Sequence, residues 1–179
     1  TGDNILFSND AFGQHYACSG LFNDLADQCV LTYEALKYYA NILTPFSAIL
    51  KRKLEEIGKL DLDIDIIAPS HGVIWRDDPL QIVRLYSAWC DAFQENQITI
   101  AYDTMWEGTR ALADAIAEGI VEADPAVTVK TYNISKSDKN DVMTEIFRSK
   151  LAVFGSPTVG NDMLGSLAGF LHFMKELKM

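Results

Sequence analysis

The second half of the chain alternates between short apolar runs and longer stretches that have apolar residues at helical spacing. The short runs predict three strands, at 98–102, 127–132 and 151–154. The longer stretches predict three helices, which end near Glu122, run from about Lys139 to Phe147, and run from Met163 to Leu177. Strands that alternate with helices of this length favour a parallel sheet with right-handed crossovers. We therefore expect an α/β fold.

The first half is divided mainly by turn residues and prolines. It predicts strands at 4–8 and 64–68, and helices from Leu21 to about Ile42, from Thr44 to about Gly58 and from Asp78 through Phe93. Thr44 and Asp78 each precede a proline, which is the pattern of an N-cap followed by a first-turn proline. Polar residues 94–97 separate the two halves. We predict two domains, 1–95 and 96–179.

The turn between strand 98–102 and the next helix has the character of an anion site. The first amides of a helix are unpaired, and the helix dipole favours negative charge there. The turn contains no lysine-bearing phosphate loop and no Gly-x-Gly-x-x-Gly fingerprint. Two threonine hydroxyls and backbone N–H groups suit a phosphate monoester such as that of FMN. The alternative is that threonine and glycine serve here only as ordinary helix caps. The candidate ligand residues are Thr104, Met105, Trp106, Glu107, Gly108 and Thr109.

A second polar loop follows the last predicted strand. In the flavodoxin-like strand order 2-1-3-4-5, the ligand crevice opens between the carboxyl ends of strands 1 and 3. The loops at 103–109 and 155–161 follow the first and third strands of this half, so both are expected at the crevice. The second loop adds the candidate cofactor-binding residues Ser156, Pro157, Thr158, Val159, Gly160 and Asn161.

Composition limits the classes of function. With 179 residues, 49% of them hydrophobic, the chain can bury the core of one domain or of two small ones. No apolar run approaches the roughly 20 residues of a membrane span, and no secretory signal is visible. A net charge of −10 argues against nucleic acid as a partner. The three cysteines form no Cys-x-x-Cys pair and are typical of a reducing compartment, so we expect a soluble cytoplasmic protein.

Five segments resemble the flavodiiron protein family in the order in which that family has them. They are FSNDAFGQH at 7–15, YYANILTP at 38–45, APSHG at 68–72 followed by Trp75 and Arg76, YDTMW at 102–106 with Thr109, and GSPT at 155–158. The resemblance covers essentially the whole chain and is strongest to the rubredoxin-linked oxygen and nitric oxide reductases of the family. It implies the C-terminal part of a metallo-β-lactamase-like αββα domain, followed by the first three strands of a flavodoxin-like doubly wound parallel sheet.

The resemblance also implies two metal ligands that are catalytic. Asp10 takes the position of the carboxylate that bridges two irons, and His71 that of the last imidazole ligand. The chemistry agrees, since a carboxylate offers one oxygen to each metal and neutral imidazole binds iron or zinc well. Taken alone, Asp10 resembles an ordinary turn residue and His71 a structural one. His15 and His172 have no ligand position in the family pattern, and a structural role is favoured for each.

Part of the family pattern is missing from these residues. The other ligands of the family come from a His-x-Glu-x-Asp-His motif and a further histidine, and neither is found here. Two further strands and a last flavin-contacting loop are also expected of a flavodoxin module. We therefore expect this chain to be the central fragment of a longer protein.

For that longer protein, the resemblance implies reduction of dioxygen to water or of nitric oxide to nitrous oxide at a diiron centre. Electrons would pass from rubredoxin or a similar donor through FMN, in a head-to-tail homodimer in which the flavin of one subunit faces the irons of the other. Two alternatives stay open. One is a zinc hydrolase of the metallo-β-lactamase type, in which the metal activates water; the other is a fragment with no activity of its own.

Overall fold

The computed structural model describes residues 3–60, 62–91 and 93–179. It divides into two compact units, the first spanning Thr1–Phe93 and the second Gln94–Met179. The break falls within the polar region that separates the two halves of the sequence.

The first unit consists of a small parallel sheet and three helices. Its strands are β1 (Ile5–Asn9) and β2 (Ile66–Pro69), paired in parallel from Ile5 opposite Ile66 to Asn9 opposite Pro69. Its helices are α1 (Gln28–Tyr38), α2 (Ser47–Gly58) and α3 (Leu80–Trp89). A π-helical turn (Tyr39–Leu43) and a 3-10 turn (Thr44–Phe46) connect α1 to α2, and a further 3-10 turn spans Asn23–Leu25. The carboxyl ends of both strands therefore meet at one edge of the sheet.

Three predicted helix starts in this unit are wrong. α1 begins at Gln28 and not at Leu21, because Asp27 caps it by accepting from the amides of Cys29 and Val30 at 2.9 and 3.0 Å. Thr44 is no cap: its backbone is already helical, and its hydroxyl donates back to the Ala40 carbonyl at 2.8 Å. Asp78 also fails to cap α3, because its carboxylate pairs with Arg84 instead.

The core of the first unit is rich in aromatic side chains. Tyr39, Tyr86 and Trp89 pack with ring centroids 5.1 to 5.5 Å apart, and Phe12 lies 4.9 Å from Tyr86. Trp75 is fully buried and donates its indole N–H to the Phe12 carbonyl at 2.9 Å. Aromatic pairs of this kind are each worth about 0.5–1.5 kcal/mol beyond their burial. The loops that follow β1 and β2 are thus anchored directly to the core.

The second unit alternates strands and helices throughout. Its elements are β3 (Glu95–Tyr102), α4 (Gly108–Ala123), β4 (Thr128–Asn133), α5 (Lys139–Phe147), β5 (Ser149–Gly155) and α6 (Gly165–Glu176). The three strands are parallel in the order β4-β3-β5, with Ile100 opposite both Thr131 and Val153. The predicted α/β class and parallel sheet are confirmed, and β3 is central, as the first strand of a flavodoxin-like order must be.

Both faces of this sheet are covered by helices. Ile100 and Tyr102 pack with Ala113 of α4, while Ala101 packs with Val142 and Met143 of α5. Successive residues of a strand point to opposite faces, so a continuous apolar run is what a sheet buried on both sides requires. Because the three strands are parallel, the loops that follow them all lie at the same edge of the sheet.

β3 begins at Glu95, three residues before its predicted start. Gln97 is buried, although it lies in the polar segment that was expected to separate the domains. Its side-chain amide donates to the Glu145 carboxylate at 2.8 Å and to the Ser149 hydroxyl at 3.1 Å. Since a hydrogen-bonded polar side chain can be buried at little cost, these residues extend the strand. In the described ranges, no helix is long and apolar enough to cross a membrane.

Candidate functional site

The loop after β3 leaves backbone donors facing outward at the start of α4. Asp103 still donates its amide to the Gly155 carbonyl at 2.9 Å, and the chain then turns away from the sheet. Glu107 occupies the N-cap of α4 in the left-handed region, with φ of 62°, and its side chain makes no cap hydrogen bond. The first amides of the helix, which have no partner four residues back, are therefore left free of a side-chain cap. An anion placed there would satisfy them.

The Thr104 hydroxyl is the one polar atom of this loop that is buried without a partner. Thr104 Oγ1 has no hydrogen-bond partner among the described residues. A buried hydroxyl left unpaired costs about 1–3 kcal/mol, so an acceptor that paired with the Thr104 hydroxyl would stabilise the loop. Because the atom is shielded as the loop stands, an oxygen would reach it after rotation of the Thr104 side chain or a small opening of the loop.

Thr109 brings the first loop against the second. A Cβ atom at Gly155 would lie 3.0 Å from Thr109 Cγ2 and 3.3 Å from Tyr102 Cβ. Only glycine permits so close an approach without a shift of the neighbours. The structure thus brings together the two polar loops that the sequence placed at one edge.

Glu107 is turned to solvent and paired, although it lies within an anion-type loop. Its carboxylate lies 3.2 Å from the Arg110 guanidinium, and both side chains are more than half exposed. This hydrogen bond raises the pKa of Arg110 above its usual range. Trp106 is 88% exposed and Met105 49% exposed, so both are available to a ligand or partner. The backbone at 105–108 is consequently not blocked by its own side chains.

The second loop is held by Ser156 and by a tight turn. Ser156 Oγ accepts from the Leu164 amide at 2.9 Å and donates to the Pro157 carbonyl at 2.9 Å, so its hydroxyl fixes the start of α6. Val159 and Asp162 exchange two backbone hydrogen bonds around Gly160 and Asn161, both of which have positive φ. This is a hairpin-type turn, for which glycine and asparagine are favoured. Residues 158–161 are exposed at its tip.

In the first unit, the structure brings Asp10 and His71 into contact. His71 Nε2 lies 3.2 Å from Asp10 Oδ1, and the two side chains are 45% and 59% exposed. Each residue follows the carboxyl end of a strand, Asp10 after β1 and His71 after β2. Ser70 strengthens the junction by donating to Asn9 Oδ1 at 3.2 Å. A carboxylate and an imidazole thus converge at an accessible edge of the sheet.

A buried glutamine fixes the turn that carries His71. Gln14 is fully buried; it accepts from the Val73 amide at 2.7 Å and donates to the Val73 carbonyl at 3.1 Å. Gly72 has φ of 80°, and a Cβ there would lie only 1.3 Å from Gln14 Oε1. The turn therefore requires glycine twice over, for its backbone angle and for the space. Rigid support of this kind is what a ligating side chain needs.

Two aromatic side chains lie beside this pair, and neither was among the predicted site residues. The His15 ring lies edge-on to His71 and to Tyr38, with centroids 5.7 and 4.9 Å apart. Burial raises the pKa of Tyr38, and the nearby negative charge of Asp10 raises it further. Tyr38 lies at the end of α1, about thirty residues from either ligand candidate, and its side chain is buried. The fold brings the Tyr38 ring to within 5.9 Å of the His71 ring, centroid to centroid.

The described residues do not complete a metal centre. Across residues 3–60, 62–91 and 93–179, no three side chains of His, Cys, Asp or Glu are grouped to hold a metal ion. His172 lies on α6 of the second unit and pairs with Glu176 at 3.4 Å. Cys18, Cys29 and Cys90 are free thiols, and burial raises the pKa of Cys90. Asp10 and His71 thus offer two ligands of the right chemistry for iron, and the described residues group no third with them.

The comparisons with known proteins agree with the family resemblance. No family model matches the chain. Over 178 residues it is 53% identical to the anaerobic nitric oxide reductase flavorubredoxin of Aliivibrio fischeri, which covers 99% of this chain and 36% of that protein. The chain thus spans about a third of the length of this curated relative.

Two solved structures superpose on nearly all of the chain. The rubredoxin oxygen:oxidoreductase of Desulfovibrio gigas matches 99% of it with a TM-score of 0.94 and 32% identity, and the match covers 44% of that protein. The flavodiiron protein of Giardia intestinalis matches 98% with a TM-score of 0.92 and 32% identity, covering 42% of that protein. The resemblance to flavodiiron proteins is therefore confirmed along essentially the whole chain.

Proposed function

We propose that this chain forms part of a flavodiiron oxidoreductase that reduces nitric oxide to nitrous oxide, dioxygen to water, or both. The observation that carries the proposal is the 3.2 Å contact between Asp10 and His71 in a chain 53% identical to a nitric oxide reductase flavorubredoxin. The second unit supports it, because the uncapped start of α4 and the unpartnered Thr104 hydroxyl suit an FMN phosphate. A metallo-β-lactamase-type hydrolase has no use for such a site.

The two units would correspond to two functional domains. Residues 1–95 form the C-terminal part of a metallo-β-lactamase-like domain, and residues 96–179 the N-terminal part of a flavodoxin-like domain. The parallel order β4-β3-β5 supports the second assignment. Parallel pairing of β1 with β2, with Asp10 and His71 at their carboxyl ends, supports the first.

In the proposed centre, the Asp10 carboxylate and the His71 imidazole would serve as iron ligands. Bound iron supplies the redox chemistry, as cofactors do in such enzymes. The chain holds the two ligands in place: Gln14 and Gly72 fix the His71 turn, and Ser70 fixes the end of β1. Tyr38 and His15 form one wall beside the ligands. Since no third ligand is present among the described residues, the remaining ligands would come from other parts of the full-length protein.

In the proposed flavin site, Thr104 and Thr109 donate their hydroxyls to the FMN phosphate, and the backbone at 105–108 donates N–H groups. The unpaired Thr104 hydroxyl is the structural observation that fits this role. Residues 156–161 would border the flavin from the neighbouring loop. Electrons from rubredoxin or a similar donor would reach the irons by way of bound FMN. A head-to-tail homodimer, in which each flavin faces the irons of the partner subunit, is part of the same proposal.

The reaction itself gives the test. Two molecules of nitric oxide take up two electrons and two protons to give nitrous oxide and water, and dioxygen takes four electrons and four protons to give two waters. The full-length protein, reduced without oxygen, is mixed with nitric oxide or dioxygen while gas is measured by electrode and mass spectrometry. We expect consumption of at least one gas, with one nitrous oxide for every two nitric oxides. Protein that contains iron and FMN and consumes neither gas would contradict the proposal.

A further inference from the structure

We infer that Asp103 is a positioning residue for the FMN phosphate, holding the loops of the second unit in the shape that the phosphate requires. The inference rests on the proposed FMN site and extends it to a residue that would not touch the cofactor. Asp103 is only 4% exposed and lies directly after β3, one residue before Thr104.

Three donors from three parts of the chain converge on this carboxylate. Oδ1 accepts from the Thr104 amide at 2.8 Å. Oδ2 accepts from the Ser135 hydroxyl at 2.5 Å and also from the Ser166 hydroxyl. Hydrogen bonds to an ionised acceptor are roughly twice as strong as those between neutral groups. Three of them on one buried group fix its surroundings firmly.

These contacts join the connections that follow all three strands. Ser135 lies after β4, Ser166 in the first turn of α6 after β5, and Thr104 after β3. The backbone adds two ties at the same edge: Asp103 donates to the Gly155 carbonyl at 2.9 Å, and Ile134 donates to the Tyr102 carbonyl at 2.8 Å. Asp103 therefore links the phosphate loop to both neighbouring loops.

The negative charge of Asp103 would weaken phosphate binding, whereas its hydrogen bonds would strengthen that binding by holding the loop in place. A carboxylate repels a phosphate held one residue away, and burial weakens the screening between them. If charge were all that mattered, removing it would tighten FMN binding. If positioning dominates, removing the acceptor loosens Thr104 and its neighbours, and FMN binding weakens. The two effects have opposite signs, so one substitution separates them.

The test uses the full-length protein stripped of FMN, with affinity measured by quenching of flavin fluorescence for both FMN and riboflavin. Riboflavin has no phosphate, so it reports on the rest of the site. For Asp103→Ala we expect FMN affinity to fall about tenfold or more, equivalent to one lost charge-assisted hydrogen bond, while riboflavin affinity changes less than about threefold.

Asp103→Asn keeps a carbonyl acceptor for the Thr104 amide and should lie between wild type and Asp103→Ala. Asp114→Ala, an exposed carboxylate on α4, is the control for loss of charge and should match wild type.

Ser135→Ala and Ser166→Ala cover the case in which Asp103→Ala does not fold. Each removes one donor and leaves the carboxylate, and the double variant should lose FMN affinity severalfold with riboflavin affinity retained. Wild-type FMN affinity in the double variant, tighter FMN binding by Asp103→Asn, or equal losses for FMN and riboflavin would each overturn the inference. If the wild-type protein binds neither flavin, the proposed FMN site itself fails, which is a distinguishable result.

Discussion

His71 Nε2 lies 3.2 Å from Asp10 Oδ1, although 61 residues separate the two in sequence. The contact forms because β1 and β2 are parallel neighbours, so that the residues after each strand meet at one edge. It is maintained by Gln14, which fills the inside of the His71 turn. A carboxylate and an imidazole in this arrangement can share a metal ion in place of their direct contact.

Asp10→Asn in the full-length protein is expected to lower iron content to well below the wild-type level. The amide keeps the size of the side chain and loses the negative charge and second equivalent oxygen that a bridging ligand provides. Iron per chain is measured by mass spectrometry after desalting. Asp91→Asn, which changes an exposed carboxylate paired with Lys51, is the matched control and should keep wild-type iron. Equal iron in wild type and Asp10→Asn would contradict the bridging role.

The 179-residue chain by itself is expected to retain well under about one iron after titration and desalting. Asp10 and His71 are two ligands, and the described residues group no third with them. The chain is first checked for cooperative thermal unfolding, so that a failure to bind is not a failure to fold. Recovery of two tightly held irons would show that the site is complete within this chain.

Thr109→Ala in the full-length protein is expected to weaken FMN binding by about ten- to a hundredfold. The hydroxyl would donate to an ionised phosphate, a bond worth about 1.5–3 kcal/mol, and about 1.4 kcal/mol is a factor of ten. Thr109→Ser keeps the hydroxyl and removes only the methyl group that packs on Gly155, so it should lie near wild type. Riboflavin affinity should hardly change in either variant. An equal loss for riboflavin and FMN in Thr109→Ala would assign Thr109 to the fold and not to the phosphate.

Thr104→Val is expected to leave the flavin-free protein as stable as wild type or stabilise it by up to about 1 kcal/mol. The substitution removes a buried hydroxyl that has no partner and replaces it with a methyl group of the same shape. The rise in melting temperature on adding FMN should be smaller than in wild type, because the hydroxyl would pair only when the phosphate is bound. A variant destabilised without FMN, with an unchanged response to FMN, would show that the hydroxyl has a partner within the protein.

Asp103 should make the second unit sensitive to acid. Burial tends to raise the pKa of Asp103, but hydrogen bonds from Ser135, Ser166 and the Thr104 amide outweigh it and lower the pKa below the usual range. A carboxyl whose pKa is lowered on folding contributes stability above its unfolded value, about pH 4, and loses that contribution as pH falls through the folded value. The melting temperature of wild type should therefore drop more steeply below about pH 4 than that of Asp103→Asn. Parallel curves for the two proteins would rule out this contribution.

Helix α5 was predicted from a start signal that lies directly beside it in sequence. α5 begins at Lys139 and ends at Phe147, as predicted, because Asp138 caps it and accepts from the amides of Asn140 and Asp141. The start of β3 was missed because burial of Gln97 depends on Glu145, 48 residues away. The caps predicted at Thr44 and Asp78 failed for a local reason: the Thr44 hydroxyl donates back to the Ala40 carbonyl, and the Asp78 carboxylate pairs with Arg84.

The candidate sites also differ in how far the sequence could predict them. A strand, a threonine-bearing turn and a helix are adjacent in sequence, so the anion loop could be located without a structure. The pairing of Asp10 with His71 was expected only from the family resemblance, and the Tyr38 ring beside His71 comes from a separate segment, α1. The positioning role of Asp103 could not be predicted either, because it depends on hydrogen bonds from Ser135 and Ser166, which lie 32 and 63 residues away.

The most direct test of the account is the iron, zinc and FMN content of the full-length protein, measured on one sample together with intact mass. We expect iron and FMN together, in a ratio of about two irons to one flavin. Zinc without iron and without flavin would contradict it, and would instead favour a hydrolase that uses Asp10 and His71 as zinc ligands.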